Sequence, residues 1–171
     1  INEKNAAAYL QANFSGDNWT ANAGVRYVNI RQDINYWQAL APTSTITPDV
    51  TSLFGRFVAG KAKNTHARLL PSMNFKFDLA DDLVFRFAAS QTQTLPDYSA
   101  LTGAVGLADL THTGTSGNPS LEPILATNFD ANLEWYFMPR GMLSAGLYSM
   151  DLQNYVKFGT VTESHLNVQT G

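Results

Sequence analysis

The stretch His66–Thr92, HARLLPSMNFKFDLADDLVFRFAASQT, decides the fold. From Met73, apolar and polar residues alternate. Met73, Phe75, Phe77 and Leu79 fall on one side, and Asn74, Lys76 and Asp78 on the other. After Ala80-Asp81-Asp82 the alternation resumes, with Leu83, Phe85, Phe87 and Ala89 against Arg86, Ala88, Ser90 and Thr92. A period of two sends successive side chains to opposite faces of a strand. The stretch therefore predicts two strands around a three-residue acidic turn, one face apolar and the other charged. With that turn Lys76 lies opposite Arg86, which is repulsive, and Asp78, diagonal to Arg86, offsets it.

The same pattern recurs on both sides. Upstream, Ala6, Ala8, Leu10, Ala12 and Phe14 alternate with Ala7, Tyr9, Gln11 and Asn13. Ser15-Gly16-Asp17-Asn18 has turn chemistry. Trp19, Ala21, Ala23, Val25 and Tyr27 then oppose Thr20, Asn22, Gly24 and Arg26. Alanine would also allow a helix over Glu3–Gln11, but the alternation that follows favours a strand. Downstream, Phe129, Ala131, Leu133, Trp135 and Phe137 oppose Asn128, Asp130, Asn132, Glu134 and Tyr136. Met138-Pro139-Arg140-Gly141 turns the chain into Leu143, Ala145 and Leu147 against Ser144, Gly146 and Tyr148. Strands are expected over 3–15, 18–36, 66–79, 83–94, 124–138 and 142–158. The fold class is all-β, an antiparallel up-and-down meander of about six long strands.

The connections alternate between short and long. The stretches 37–65 and 93–123 are rich in Gly, Pro, Ser and Thr. Each is about thirty residues long, well beyond an ordinary connection. The tail, 159–171, reads as the start of another such loop. Short turns on one side and long loops on the other mark a transmembrane β-barrel of the outer-membrane type. The strands also exceed the usual five or six residues and suit the roughly nine to eleven of a tilted membrane strand. Arg26, Lys76, Asp78, Arg86, Asp130 and Glu134 all fall on the polar face and none on the apolar one. Lipid exposure requires this, because Arg or Lys facing lipid at the midplane costs roughly 2–4 kcal/mol. A soluble sandwich would show the same alternation; loop and strand lengths separate the two. Phe14, Trp19, Trp135 and Phe137 lie near the short turns, where an interfacial aromatic girdle belongs.

Composition agrees. The 171 residues are enough for one ordinary domain; 15% are charged and 12% aromatic, and the net charge is -3. Lys and Arg are scattered, so nucleic acid is not an expected partner. There is no cysteine, hence no disulfide and no thiolate metal site. No apolar run approaches the ~20 residues of a membrane helix. The chain starts Ile1-Asn2-Glu3 without an initiator Met, as a mature protein or a piece of one would. No GxSxG, HExxH or phosphate-loop motif is present, so an enzyme is not expected, and nothing calls for a cofactor. His66, His112 and His165 are far apart in sequence and are not read as metal ligands. The triplets at Asn13 and Asn18 match a glycosylation signal by chance. Pro71 removes a ladder donor and is expected at a bulge or above the bilayer.

Leu70-Pro71-Ser72-Met73-Asn74, followed by the hairpin, resembles the barrel of TonB-dependent outer-membrane receptors. So does Gly117-Asn118-Pro119-Ser120-Leu121-Glu122-Pro123 before the strand at Asn128–Phe137. Ala8-Tyr9-Leu10-Gln11 and Gly24-Val25-Arg26-Tyr27 fit the same pattern. The resemblance covers most of residues 3–158. One departure is Leu95-Pro96-Asp97-Tyr98, where the family often has Arg before Pro-Asp. Another is the ending Thr170-Gly171, without the family's terminal aromatic residue. Such receptors have a barrel of about 22 strands and an N-terminal plug that carries the segment read by TonB. The chain is therefore expected to be an internal portion of a larger receptor barrel, without the plug.

The resemblance implies localisation in the outer membrane and TonB-coupled uptake of a scarce nutrient, a siderophore, saccharide or similar compound. The implied partners are membrane lipid, the receptor's own plug, the inner-membrane TonB complex and a small-molecule ligand. Ligand contacts in the family come from loops and upper wall, which here points to Tyr36, Trp37, Asp97, Tyr98 and His112. The polar-face charges would face the lumen, the hairpin phenylalanines lipid, and Ala80-Asp81-Asp82 the periplasm. A passive porin-like channel and a soluble secreted carbohydrate-binding β-sandwich are the alternatives.

Overall fold

A computed structural model of the chain describes residues 1–40, 44–52, 55–108 and 111–162. The strands are β1 (Asn2–Ser15), β2 (Trp19–Leu40), β3 (Val50–Ser52), β4 (Gly55–Ala80), β5 (Leu83–Thr94), β6 (Val105–Ala108), β7 (Thr113–Ser116), β8 (Ile124–Met138) and β9 (Gly141–Gln153). One antiparallel sheet runs β1-β2-β4-β5-β8-β9, with β3 added to β4; β6 and β7 form a separate hairpin. The six long strands follow one another as a meander. Among the described residues no second large sheet packs on the first.

The His66–Thr92 hairpin pairs Lys76 with Arg86 and Phe75 with Phe87. The turn, however, holds two residues, Asp81 and Asp82, and the extra residue is taken up by a register shift between Asp78 and Ala80. A two-residue turn with a one-residue bulge reproduces the register of a three-residue turn. The β8–β9 turn does the same, with Arg140 at φ 70° and a shift between Trp135 and Met138. The short turns are stitched to neighbouring strands: the Trp135 indole N–H donates to Asp82 at 3.0 Å, and the Tyr136 amide donates to the Asp82 carbonyl at 2.7 Å. On the apolar face Trp19 stacks on Phe75 at 6.2 Å, Phe75 on Phe77 at 6.1 Å, and Trp135 meets Phe137 at 5.6 Å.

Three expectations are corrected. The stretch 37–65 is mostly strand: β2 continues to Leu40 and β4 begins at Gly55. The stretch 93–123 contains the β6–β7 hairpin. The last strand ends at Gln153 rather than 158, because Asn154 takes a left-handed conformation, φ 57°, and its side chain turns to Glu122 and Pro123. Of the expected tail loop, 159–162 is irregular and 163–171, with His165, lies outside the described residues.

The long β2–β4 ribbon also passes through a change of environment. In the upper part of β2 the two faces exchange polarity, and on β4 the outward face turns from apolar to Thr65, Lys63 and Lys61 while the other face stays polar at Arg68, His66 and Asn64. Up to Tyr27, one face of β2 carries Trp19, Ala21, Ala23, Val25 and Tyr27. Beyond it the same face carries Asn29, Arg31, Asp33 and Asn35. The opposite face, polar up to Arg26, becomes Val28, Ile30, Gln32 and Ile34, all at most 5% exposed. Neither ladder of β2 has a register shift, so this is a change of environment and not a slip. The alternation persists with its sign reversed, so the strand stays legible to residue 36; beyond it Pro42, Pro48, Gly55 and Gly60 among Ser and Thr hide the ladder that continues.

Pro71 is not at a bulge. It sits opposite Val25 within the β2–β4 ladder. The β4–β5 ladder ends one residue away, at Ser72–Ser90. Above it β2 and β4 continue as a ribbon, free of β5. A proline has no N–H to offer a further neighbour, so it suits the point where a ladder stops.

Candidate functional site

Two regions of the polar face carry chemistry. The lower one is a concavity of 580 Å³ lined by, among others, Asn13, Thr20, Asn22, Asn74, Lys76, Arg86, Asp130 and Asn132. Lys76 and Arg86 are directly opposite and repel, and each has an anionic neighbour. Lys76 Nζ lies 2.8 Å from Asp78 Oδ1, and Arg86 Nε lies 3.0 Å from Glu134 Oε1. Asp78 thus offsets Lys76 on its own strand, whereas Arg86 is balanced from β8. Glu134 also accepts from Asn132 Nδ2 at 3.2 Å and Tyr136 Oη at 2.9 Å. Its side chain is 12% exposed against 47% for Arg86. Arg26 and Asp130 share this face and have no ion-pair or hydrogen-bond partner among the described residues.

A double-mutant cycle with Arg86→Gln and Glu134→Gln is expected to show a coupling of about 1 kcal/mol, the upper end for a part-exposed ion pair. Urea unfolding of the full receptor measures it. A coupling near zero would mean that neither group depends on the other.

The upper region lies where the connection after β5 folds back over the sheet. Ala100 and Leu101 are buried, at 3% and 0% exposure, as are Ile30 and Ile34. Glu3 Oε2 accepts from Gln32 Nε2 at 3.0 Å and from Tyr98 Oη at 3.4 Å. Tyr36 is held between two glycines. A Cβ on Gly60 would come within 2.4 Å of its ring, and so would one on Gly103. The GNPSLEP segment ties the connection down. Asn118 donates its amide to the Ala100 carbonyl at 2.7 Å, and its Oδ1 accepts from the Ser120 amide at 2.9 Å. Asn64 Nδ2 donates to the Pro119 carbonyl. Glu122 lies 3.8 Å from Arg68 and accepts from Asn154 at 3.0 Å.

The five ligand candidates do not form one site. Tyr36 and Tyr98 come to the polar face, Tyr36 packed inside the clamp and Tyr98 hydrogen-bonded at its edge. Trp37, the next residue along an extended strand, lies on the opposite face, 53% exposed. Asp97 begins the turn that accepts the Ala100 amide at 2.9 Å. His112, with φ 53°, belongs to the β6–β7 hairpin, which pairs with no strand of the main sheet. Sequence reading missed Glu3, Gly60 and Gly103. Glu3 gave no signal, and the two glycines were read as loop punctuation. Among the described residues no group of three His, Asp or Glu could hold a metal ion.

A long-stranded meander with an apolar outer band and a polar concave face defines the wall of a transmembrane β-barrel. The sequence matches, over residues 1–170, the family described as TonB dependent receptor-like, beta-barrel. The chain belongs to that family, whose members are transporters of the outer membrane and not enzymes. No curated protein matches the sequence.

Among solved structures, the chain is similar to the Serratia marcescens hemophore receptor HasR, seen as a double mutant with its hemophore HasA and heme. The TM-score is 0.60 and the identity 15%, over 90% of this chain and 26% of that one. It also matches the ferric enterobactin receptor PfeA in complex with BCV-L6, with a TM-score of 0.39 and 15% identity, over 86% of this chain and 26% of that one. The first likeness speaks to the fold alone, and the second is too loose to carry an argument. The chain spans about a quarter of either receptor.

Proposed function

We propose that the chain is part of the barrel wall of a receptor that takes up a scarce nutrient, a siderophore, saccharide or similar compound, driven by TonB. In this reading the apolar face meets lipid, and the polar face with Arg26, Lys76, Asp78, Arg86, Asp130 and Glu134 lines the lumen. The short turns of two or three residues are periplasmic and the long connections extracellular. The plug and the TonB-reading segment would be supplied by other parts of the receptor, and the plug would meet the lower charged concavity. The upper region, with Tyr36, Asp97, Tyr98 and the β6–β7 hairpin bearing His112, would meet the ligand. Trp37 would stand on the outer rim.

The observation that carries this reading is the bounded apolar band. On β4 it runs from Ala67 through Leu69, Pro71, Met73, Phe75 and Phe77 to Leu79, and Lys61, Lys63 and Thr65 follow above it on the same face. Twelve residue steps at about 3.3 Å give about 40 Å along the strand, or about 28 Å at a ~45° tilt. An outer-membrane apolar band is about 25 Å tall.

Deleting the gene and measuring uptake of candidate compounds tests the proposal. Loss of uptake of one compound, and its abolition by a proton uncoupler in the wild-type cell, are expected. Uptake that survives the uncoupler would mean a passive channel.

A further inference from the structure

Just above the apolar band, the outward face of β1, β2 and β4 carries Lys4, Arg31, Lys63 and Lys61. The register places Lys4 directly opposite Arg31, and Lys63 opposite Asp33. Asp33 is the one carboxylate among them, 3.9 Å from Lys63, with both side chains well exposed. Lys4, Arg31 and Lys61 have no ion-pair or hydrogen-bond partner among the described residues. Four cations thus stand against one anion, on a chain whose net charge is -3. Two cations directly opposite each other weaken a ladder, so an anion placed between them would be stabilised by both.

The patch is local. On the outward face of β5, β8 and β9, the corresponding upper positions are Gln91, Gln93, Thr127 and Asp151, neutral or acidic. Below the patch, Tyr27 and Leu69 pair near the top of the band, 43% and 62% exposed. An aromatic residue at that level belongs among lipid headgroups. The connection after β5 covers the opposite face, so a ligand held there does not reach these cations.

We propose that Lys4, Arg31, Lys63 and Lys61 bind the phosphate groups of an anionic lipid in the outer leaflet, with its acyl chains against Tyr27, Val25 and Leu69. The Arg31 guanidinium offers a fork to phosphate oxygens and the lysines act as point charges. This rests on the proposed reading, in which the apolar face is the lipid face and the long connections are extracellular.

The test uses the full-length receptor in phosphatidylcholine vesicles doped with bis-phosphorylated lipid A, with dephosphorylated lipid A as the matched control. Lipid retained after detergent extraction is measured by mass. The unaltered receptor should retain the phosphorylated lipid at least tenfold over the dephosphorylated one. The Lys4→Gln/Arg31→Gln variant should lose that preference, and Lys61→Gln should lose a smaller part of it. Equal retention of both lipids overturns the proposal, as does an unaffected double variant or displacement by inorganic phosphate at millimolar concentration. If the receptor inserts and folds but shows no phosphate preference, only this proposal fails. If it does not insert, the lipid-face reading fails with it.

Discussion

Replacing Met73 with arginine is expected to lower the stability of the full receptor in vesicles by about 2–4 kcal/mol, the depth-dependent cost of a cation facing lipid near the midplane. Met73 is the middle residue of the β4 apolar band, six positions from Ala67 and six from Leu79, and is 43% exposed. It pairs with Ala23 on one side and Ala89 on the other, both on the same apolar face. No carboxylate lies on that face within the band to meet the new charge. The adjacent residue provides the control. Ser72 is exposed on the polar face, opposite Gly24 and Ser90, so Ser72→Arg is expected to stay within about 1 kcal/mol. Denaturant unfolding of both variants in the same vesicles measures the difference. Equal costs would mean that the two faces are not in different solvents.

Gly117→Ala is expected to undock the connection after β5 from the wall while leaving the barrel intact. A Cβ at this position would stand 2.5 Å from the Ala100 carbonyl oxygen and 2.7 Å from that of Thr102. Both are backbone atoms, so no side-chain rotation relieves the overlap. Forcing extra volume into such a contact costs about 1–3 kcal/mol. Here the cheaper response is to release the segment. Amide exchange over 97–104 and 118–123 should accelerate about ten- to hundredfold, with no change in barrel unfolding. Gly159→Ala, where nothing lies within 4 Å, should change neither. Unaltered exchange in Gly117→Ala would show that the GNPSLEP tie is not what holds the connection down. Under the proposed function, ligand affinity should fall with the undocking, because the clamp around Tyr36 includes Gly103 of the same connection.

These two predictions draw on different levels of the molecule. The Met73 prediction was already legible in the chain. Phe75, Phe77, Phe85 and Phe87 against Lys76 and Arg86 fix which residues share a face, because a strand has a period of two whatever surrounds it. Lys76 opposite Arg86 followed from counting across the turn, although the count was met by a bulge and not by a third turn residue. The alternation of short and long connections then pointed to a membrane wall, since no compact domain needs it.

What the chain alone did not determine is what each face meets above the membrane. There the outward face of β2 and β4 changes from apolar to charged, and the opposite face of β2 becomes buried under the packed connection. Val28, Ile30 and Ile34 therefore share a face with Arg26. The expected strand crossed that change and stopped at residue 36; 37–65 was read as loop from its Gly, Pro, Ser and Thr content, which does not reveal that the β2–β4 ladder runs on to Leu40 and Arg56. The glycines are a second case. Nothing local distinguishes Gly60, Gly103 or Gly117 from turn residues. Their role exists only once Tyr36 and the 100–102 backbone are brought against them by contacts distant in sequence. Local alternation and turn chemistry were enough to determine the meander, the register of its His66–Thr92 hairpin and its two faces. Where the faces exchange environments, and which connection closes over the wall, was decided only by tertiary packing, because both depend on what the strand touches and not on the strand itself.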